Sequence, residues 1–162
     1  MSERAMKNRA QQKGAAAVEL AVLLIPLVLI AFGITEFGRA FFEYNAIAKG
    51  TRDAARFLTM KGPLDPANPS STADIAQARC MVTYGNPGCT GTARVPYLTA
   101  AMVSICDSWT CPATHGAQPT GTSVVNLLTV TVTGYTFTPL VPFIMPNPLT
   151  FNDISTTMRQ VL

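Results

Sequence analysis

The sequence has few charged residues and a single histidine, and these shortages exclude several classes of protein. Of its 162 residues, 13% are charged, whereas 48% are hydrophobic. A chain this apolar is not a disordered tail, and 12 dispersed basic residues do not form the surface of a nucleic-acid-binding protein. The chain also lacks a phosphate loop, a dinucleotide fingerprint and a zinc-protease motif. We therefore predict no enzyme, no cofactor, no metal and no nucleic-acid partner.

His115 is the one candidate for acid–base catalysis. It lies in a Pro/Gly-rich loop, and the nearest carboxylate along the chain is Asp107. Because a Ser/His/Asp arrangement can form from distant segments, an anchored periplasmic enzyme stays open as a minor alternative.

The net positive charge of the chain is confined to its first 14 residues. That segment has four basic side chains and one acidic one, whereas basic and acidic groups balance in the remainder. A short basic leader before an apolar run is typical of a topology signal that stays in the cytoplasm. We interpret residues 1–14 as a cytoplasmic leader, with everything after the span on the other side of the membrane.

The apolar run after the leader is long enough to cross a membrane. Ala15–Thr35 contains 21 residues, which at a rise of about 1.5 Å per residue cross a hydrocarbon core of about 30 Å. Glu19 is its one charged residue and lies near the cytoplasmic end, where a carboxylate in lipid still needs a role. Pro26 removes a helix hydrogen bond in mid-span and should kink or loosen the helix.

The same helix is predicted to continue beyond the membrane over residues 36–60. An apolar stripe recurs at helical spacing, and we expect it to pack in an ordinary protein core. Arg39 with Glu43, and Lys49 with Asp53, fall four residues apart off that stripe. Lys61-Gly62-Pro63 should end the helix. The continuous helix from Ala15 to Met60 would then be about 69 Å long. The stripe consists of Phe37, Phe41, Tyr44, Ala48, Thr51, Ala55 and Leu58.

Residues 61–162 are predicted to form a small head. After a turn-rich loop, Ser71 should cap a helix over Thr72–Tyr84. Strands are expected near Met102–Cys106, within Val124–Phe137 and, as a closing edge strand, at Thr150–Met158. The predicted fold is α+β, with one long helix packed on a small antiparallel sheet.

The four cysteines all follow the span and would face an oxidising compartment. Of the three possible pairings, Cys80–Cys89 and Cys106–Cys111 are favoured because both close short loops. The rival interpretation is a zinc site built from all four thiolates, although the spacings lack paired C-x2-C knuckles. Trp109, between the second pair, is expected to be partly buried, with a partner contact as the alternative.

The leader and span together resemble the prepilin-peptidase recognition segment of type IV pilin-like proteins. That resemblance rests on Lys13-Gly14, four small or apolar residues, Glu19 and a further apolar run. It implies that a membrane peptidase cuts between Gly14 and Ala15. It also implies that Glu19, then the fifth residue, pairs with the terminal amine of Ala15 on a neighbouring subunit and sets the register of assembly.

A narrower resemblance follows from EFGRAFF at Glu36–Phe42 and NAIAKGTRDAARFLT at Asn45–Thr59, with a looser one at Val130–Phe143 and Leu149–Arg159. These segments are similar to TadE-like pseudopilins of the tight-adherence (type IVc, Flp) pilus system, with Glu36, Phe37, Gly38 and Arg39 as the family motif. Major Flp pilins usually have Glu-Tyr at the processing site and are far shorter. Glu19-Leu20 and the large head therefore favour a minor pseudopilin.

The resemblance implies a set of partners and a location. The partners are the prepilin peptidase, other pilins through the N-terminal helix, the assembly platform of the inner membrane, and membrane lipid. The chain would be a single-pass inner-membrane protein with a periplasmic C-terminus, carried into an extracellular pilus after assembly. The alternative is a permanently anchored periplasmic protein that binds or adheres to a partner, with Trp109 as a contact.

Overall fold

The computed structural model describes residues 2–121, 123–145 and 148–160, with their side chains from Ala15 onward. A long helix α1 (Ser2–Thr59) is followed by a helix α2 (Pro69–Tyr84) and a single 3-10 turn at Ala100–Met102. The described residues also form a short helix α3 (Pro112–His115) and six strands. These are β1 (Val103–Cys106), β2 (Gln118–Pro119), β3 (Val124–Val132), β4 (Thr136–Phe137), β5 (Leu149–Thr150) and β6 (Ile154–Gln160).

Helix α1 runs through Pro26 and ends one residue before the predicted boundary. The Lys61 amide bonds to the carbonyl of Leu58, and Gly62 then adopts a φ of 76°, a left-handed conformation that glycine reaches without strain. Lys61-Gly62 therefore ends the helix, as the sequence predicted.

Helix α2 begins earlier than the sequence predicted. Its N-cap is Asn68, whose side-chain oxygen accepts from the Ser70 amide at 2.9 Å, and Pro69 is its first helical residue. The prediction of Ser71 as the cap was wrong, because an Asn-Pro pair supplies both a capping oxygen and a preset φ. The helix ends at Tyr84 as expected, with Gly85 in the left-handed region.

The sheet has β3 as its central strand. Antiparallel neighbours flank it, β1 in the register Val103↔Val132 and β6 in the register Ile154↔Val132. Short β2 pairs with the first two residues of β3, and β4 pairs separately with β5. The predicted Val124–Phe137 segment is therefore two strands, because a turn at Gly134 redirects the chain after Val132.

The core lies between α1, α2 and one face of this sheet. Leu128, Val130 and Val132 alternate along β3 and are fully or almost fully buried against Ile47 and Leu58 of α1. Helix α2 crosses α1 at Gly50, where a Cβ atom would lie only 2.9 Å from the carbonyl oxygen of Val82. The observed architecture is α+β, a long helix packed on small antiparallel sheets, as predicted.

The predicted face of α1 was wrong in its membrane-proximal part. Phe37, Phe41 and Tyr44 are 62%, 61% and 45% exposed, whereas Thr51, Ala55 and Leu58 of the same predicted stripe are buried. The residues that face the head in this part of α1 are instead Glu36, Ala40, Glu43 and Ile47. This second stripe has the same 4, 3, 4 spacing one position earlier, about 100° around the helix.

Candidate functional site

The first part of α1 has the surface of a membrane-spanning helix. By length and composition, one described helix is apolar enough to cross a membrane, and it reaches a mean hydropathy of 2.7 over a window with no buried residue. Most of its large apolar side chains from Val18 to Ile34 are between 43% and 69% exposed. No described residue of the head covers most of this surface, so lipid or other helices are its available surroundings.

The predicted processing residues lie at the start of this surface. Ala15 and Glu19 are both exposed, whereas the side chains of Lys13 and Gly14 lie outside the described residues. Pro26 is exposed inside the helix, between helical neighbours on both sides. Glu19 is thus available to a group from outside this chain.

A cluster of ionised side chains joins α1 to the head directly after the span. Glu36 is 2% exposed and accepts from Arg39 Nη1 at 3.0 Å and from the backbone amide of Leu140 at 3.1 Å. Two turns after Glu36, Glu43 is 6% exposed, with its Oε1 3.8 Å from Arg39 Nη2. The Arg39 guanidinium also lies 5.1 Å from the centre of the Phe137 ring, a cation–π contact. One cation therefore serves two buried carboxylates.

Tyr135 completes the cluster from the turn after β3. Its hydroxyl lies 2.7 Å from Glu43 Oε2 and 2.9 Å from the carbonyl oxygen of Pro96, so one proton serves two acceptors. Burial, together with the Glu43 carboxylate beside it, raises the pKa of Tyr135 well above its ordinary value. The hydroxyl therefore stays protonated and keeps donating at physiological pH.

Within the motif Glu36–Arg39, the four residues have two different surroundings. Glu36 and Arg39 contact the head, whereas Phe37 is exposed and a Cβ atom at Gly38 would meet no atom within 4 Å. Sequence reasoning placed Arg39 and Glu43 off the buried face and missed Tyr135. The available signal was the spacing of three charged residues at 36, 39 and 43 immediately after a span, where exposed charges would sit close to lipid.

Lys49 and Asp53, the other two charged residues that are four apart on α1, do not pair with each other. Asp53 pairs with Arg94 of the head, Oδ2 to Nη2 at 3.0 Å, and not with Lys49. The Arg94 guanidinium reaches α1 from the loop after α2, and a planar fork holds a carboxylate better than a neighbouring lysine does.

The cysteines form two disulfides, Cys80–Cys89 and Cys106–Cys111, with Cα atoms 4.8 Å and 5.6 Å apart. These are the pairings that short loops favoured. The sulfurs of Cys106 and Cys111 and a ring nitrogen of His115 lie within 4.8 Å of one another. With the two sulfurs bonded to each other, neither is the thiolate that a zinc site requires.

His115 and Asp107 do not come together as a catalytic pair. The His115 ring nitrogens contact the hydroxyls of Thr114 and Thr129, both at 2.7 Å. Asp107 is fully buried and instead accepts from the backbone amide of Leu64 at 2.8 Å and from that of Thr110 at 3.0 Å. Both residues therefore have structural contacts.

Trp109 follows Asp107 in the same loop and is 55% exposed, so it is a surface residue and not a core one. The loop lies beyond the C-terminal end of α1, because Asp107 binds Leu64. Trp109 is therefore at the end of the molecule away from the span.

One comparison with known proteins finds a match. Residues 14–56 match the family model described as "TadE-like protein", which confirms the resemblance seen in the motif and the helix that follows it. Residues 57–162 lie outside the match. No curated protein and no solved structure matches the chain. The match supports involvement in the tight-adherence pilus system.

Proposed function

We propose that the chain is a minor pseudopilin of a tight-adherence pilus. A prepilin peptidase cuts it between Gly14 and Ala15, and the processed chain enters a pilus or primes its assembly. The observation that carries the proposal is the bare apolar surface of Ala15–Thr35, which bears an exposed carboxylate at Glu19. A plain anchor needs no carboxylate there, whereas helices that pack against one another in a filament need a polar contact to set their register.

The proposed assembly contact follows from the charge of Glu19. A carboxylate in apolar surroundings is costly, and a positive partner offsets that cost. Cleavage after Gly14 would create an ammonium group on Ala15, four residues before Glu19. We expect the amine of one subunit to pair with Glu19 of the next, so that cleavage and register are linked.

The location and partners follow from this role. The leader would lie in the cytoplasm and the head in the periplasm, with the assembly platform of the inner membrane as the site of extraction. Other pilins or pseudopilins would cover Ala15–Thr35 in the assembled state.

The cleavage step is tested by the intact mass of the protein extracted from cells with an active prepilin peptidase. We expect a chain that begins at Ala15. The matched control is the same strain without the peptidase, which should yield the full chain. A chain that keeps residues 1–14 in both strains contradicts the proposal.

The assembly step is tested by Glu19→Gln, which removes the charge and keeps the shape. We expect normal membrane insertion and a drop of about tenfold or more in the chain recovered with sheared pili, since a lost buried ion pair is worth several kcal/mol. Leu23→Ala, at a site that is 67% exposed on the same helix, is the control for loss of apolar contact alone. Unchanged recovery of the Glu19→Gln chain would remove Glu19 from assembly.

A second candidate function is a permanently anchored protein that binds a partner in the envelope. The exposure of Trp109 on a loop closed by Cys106–Cys111 favours it, because exposed aromatic side chains on rigid loops are common anchors at interfaces. Trp109→Ala should then abolish partner capture while pili form normally. Recovery of the chain in sheared pili argues for the pseudopilin instead.

A further inference from the structure

We propose that the segment Leu140–Met145 of the head, here called the apolar loop, dips into the lipid bilayer that α1 crosses. Membrane lipid at the headgroup and acyl-chain boundary would be its binding partner. The inference rests on the membrane-spanning placement of α1 in the proposed function, but not on cleavage or assembly.

The composition and exposure of the apolar loop point to an apolar partner. The sequence LVPFIM has no polar side chain, and no charged residue occurs from Thr138 to Thr150. Leu140 and Phe143 are 76% and 77% exposed, the highest values among the exposed large apolar side chains described. Exposure of such an apolar surface to water is unfavourable, so we expect an apolar partner to cover the loop.

The apolar loop is fixed in place on α1. The Leu140 amide donates to Glu36 Oε1 at 3.1 Å, and the Ile144 amide bonds to the carbonyl of Val141 at 3.1 Å and closes a turn. The side chain of Ile144 lies over Gly33, where an added Cβ atom would be 3.8 Å from Ile144 Cγ2. The exposed side chains are therefore held by the fold at one level of the helix.

That level lies inside the predicted membrane span. Gly33 is two residues before the end of Ala15–Thr35, so the loop reaches the last turn of the span, about 3 Å inside its boundary. Amphipathic segments that lie in a membrane interface bury their apolar side about 5–10 Å into the headgroup and acyl-chain boundary. Ile144 against Gly33, about 3 Å inside the span, reaches the boundary layer in which such segments lie.

The helix surface next to the apolar loop is also apolar and exposed. Phe37, Phe41 and Phe42 are 61–68% exposed immediately after the span, and Met145 lines a groove of about 310 Å³ with Phe37 and Phe41. The carboxylates of this part of α1 face the head. No buried ion pair has to be broken for lipid to cover this side.

Lipid is favoured over a second copy of the chain because this surface continues the span. The exposed apolar side chains run from Val18 through Ile34 to Phe42, and the apolar loop adds to the same surface at the same level. A membrane surrounds a single helix on all of its free sides, whereas one partner copy would cover one side.

The single tryptophan of the chain provides an internal control for the test. Asp107, two residues before Trp109, binds the Leu64 amide past the end of α1 at Thr59, and Thr59 is about 39 Å along the helix from Gly33. The probe chain combines Phe143→Trp with Trp109→Phe. Both the probe chain and the unaltered chain are reconstituted at full length into phosphatidylcholine vesicles with brominated acyl chains.

We expect brominated lipid to lower the fluorescence of the probe chain about twofold or more, and to leave Trp109 of the unaltered chain nearly unchanged. Equal, weak quenching of both chains overturns the proposal. Weak quenching that rises only as the protein is diluted into more lipid also overturns it, because contact between copies then covers the loop at the higher protein density. A second probe chain, Leu140→Trp with Trp109→Phe, replaces the first if the Phe143 substitution unfolds the head by circular dichroism.

This outcome is separable from that of the proposed function. A quenched probe in a chain whose leader is never removed supports the apolar loop and contradicts the pseudopilin role. An unquenched probe in a chain that is cleaved and recovered in pili contradicts the membrane contact of the apolar loop and supports the pseudopilin role.

Discussion

Between Glu36 and Tyr44, α1 exposes its aromatic side chains and buries its carboxylates, whereas from Ile47 to Leu58 it buries apolar and small side chains and exposes most of its charges. The two parts belong to one helix and share one head. The proposed membrane placement accounts for their difference, because the first part would adjoin lipid and the second would lie in water. Near lipid, an aromatic residue on the outside is stable and a charge is costly, which is the opposite of the rule in water.

The largest effect should come from the water-exposed part of the helix. Leu58→Ala removes a fully buried side chain from the core and should lower the free energy of unfolding by about 2–5 kcal/mol. Phe41→Ala, in the membrane-proximal part, should change it by less than about 0.5 kcal/mol because the ring is exposed. Denaturant unfolding of the detergent-solubilised chain measures both. Similar losses of stability for the two variants would contradict the proposed difference between the two parts of α1.

The next effect concerns the buried charges of the membrane-proximal part. Arg39→Ala leaves Glu36 and Glu43 buried without their cation and should cost about 3 kcal/mol, the low end for a buried pair because the Arg39 side chain is 33% exposed. The control is Arg52→Ala, at an exposed position of the distal part, which should cost less than about 0.5 kcal/mol. Equal stability of the two variants would mean that the cluster does not hold the head on α1.

Tyr135→Phe should sharpen the account of the same cluster through its pH dependence. At neutral pH we expect a loss of about 1.5–3 kcal/mol, the value of a hydrogen bond to a charged group. In the native chain the pKa of Tyr135 is raised, so the unfolded chain releases the phenolic proton first, near its ordinary pKa of about 10. This stabilisation is complete below pH 10 and declines as the pH rises further.

Unfolding midpoints measured at pH 8 and at pH 10.5 therefore test the direction of that shift. The decline between the two should be smaller in Tyr135→Phe than in the unaltered chain. An identical decline would mean that Tyr135 does not account for it.

The smallest effect compares two glycines of α1. Gly50→Ala places a Cβ atom 2.9 Å from the carbonyl oxygen of Val82 and should cost about 1–3 kcal/mol through the forced separation of α1 and α2. Gly38→Ala meets nothing within 4 Å and should stabilise the helix by about 0.5–1 kcal/mol. Thermal unfolding followed by circular dichroism should give midpoint shifts of opposite sign. A loss of stability at Gly38 would indicate a contact with another subunit.

Much of the fold could be predicted because its signals are local in sequence. The long helix, its end at Lys61-Gly62, the strand at Val103–Cys106 and the two short disulfide loops depend on apolar periodicity, turn residues and loop length. The cap of α2 was misplaced by three residues, because Pro69 can begin a helix and Asn68 before it then supplies the capping oxygen.

The sequence by itself determined that α1 would be long, apolar at its start and similar to TadE-like proteins over residues 14–56. Which of two neighbouring stripes faces the head was decided only by the tertiary structure. Both stripes have helical spacing, and the choice depends on partners that are far away in the chain, the Leu140 amide and the Tyr135 hydroxyl. A buried carboxylate is stable only where such donors meet it, so its burial is a property of the folded chain and not of its periodicity.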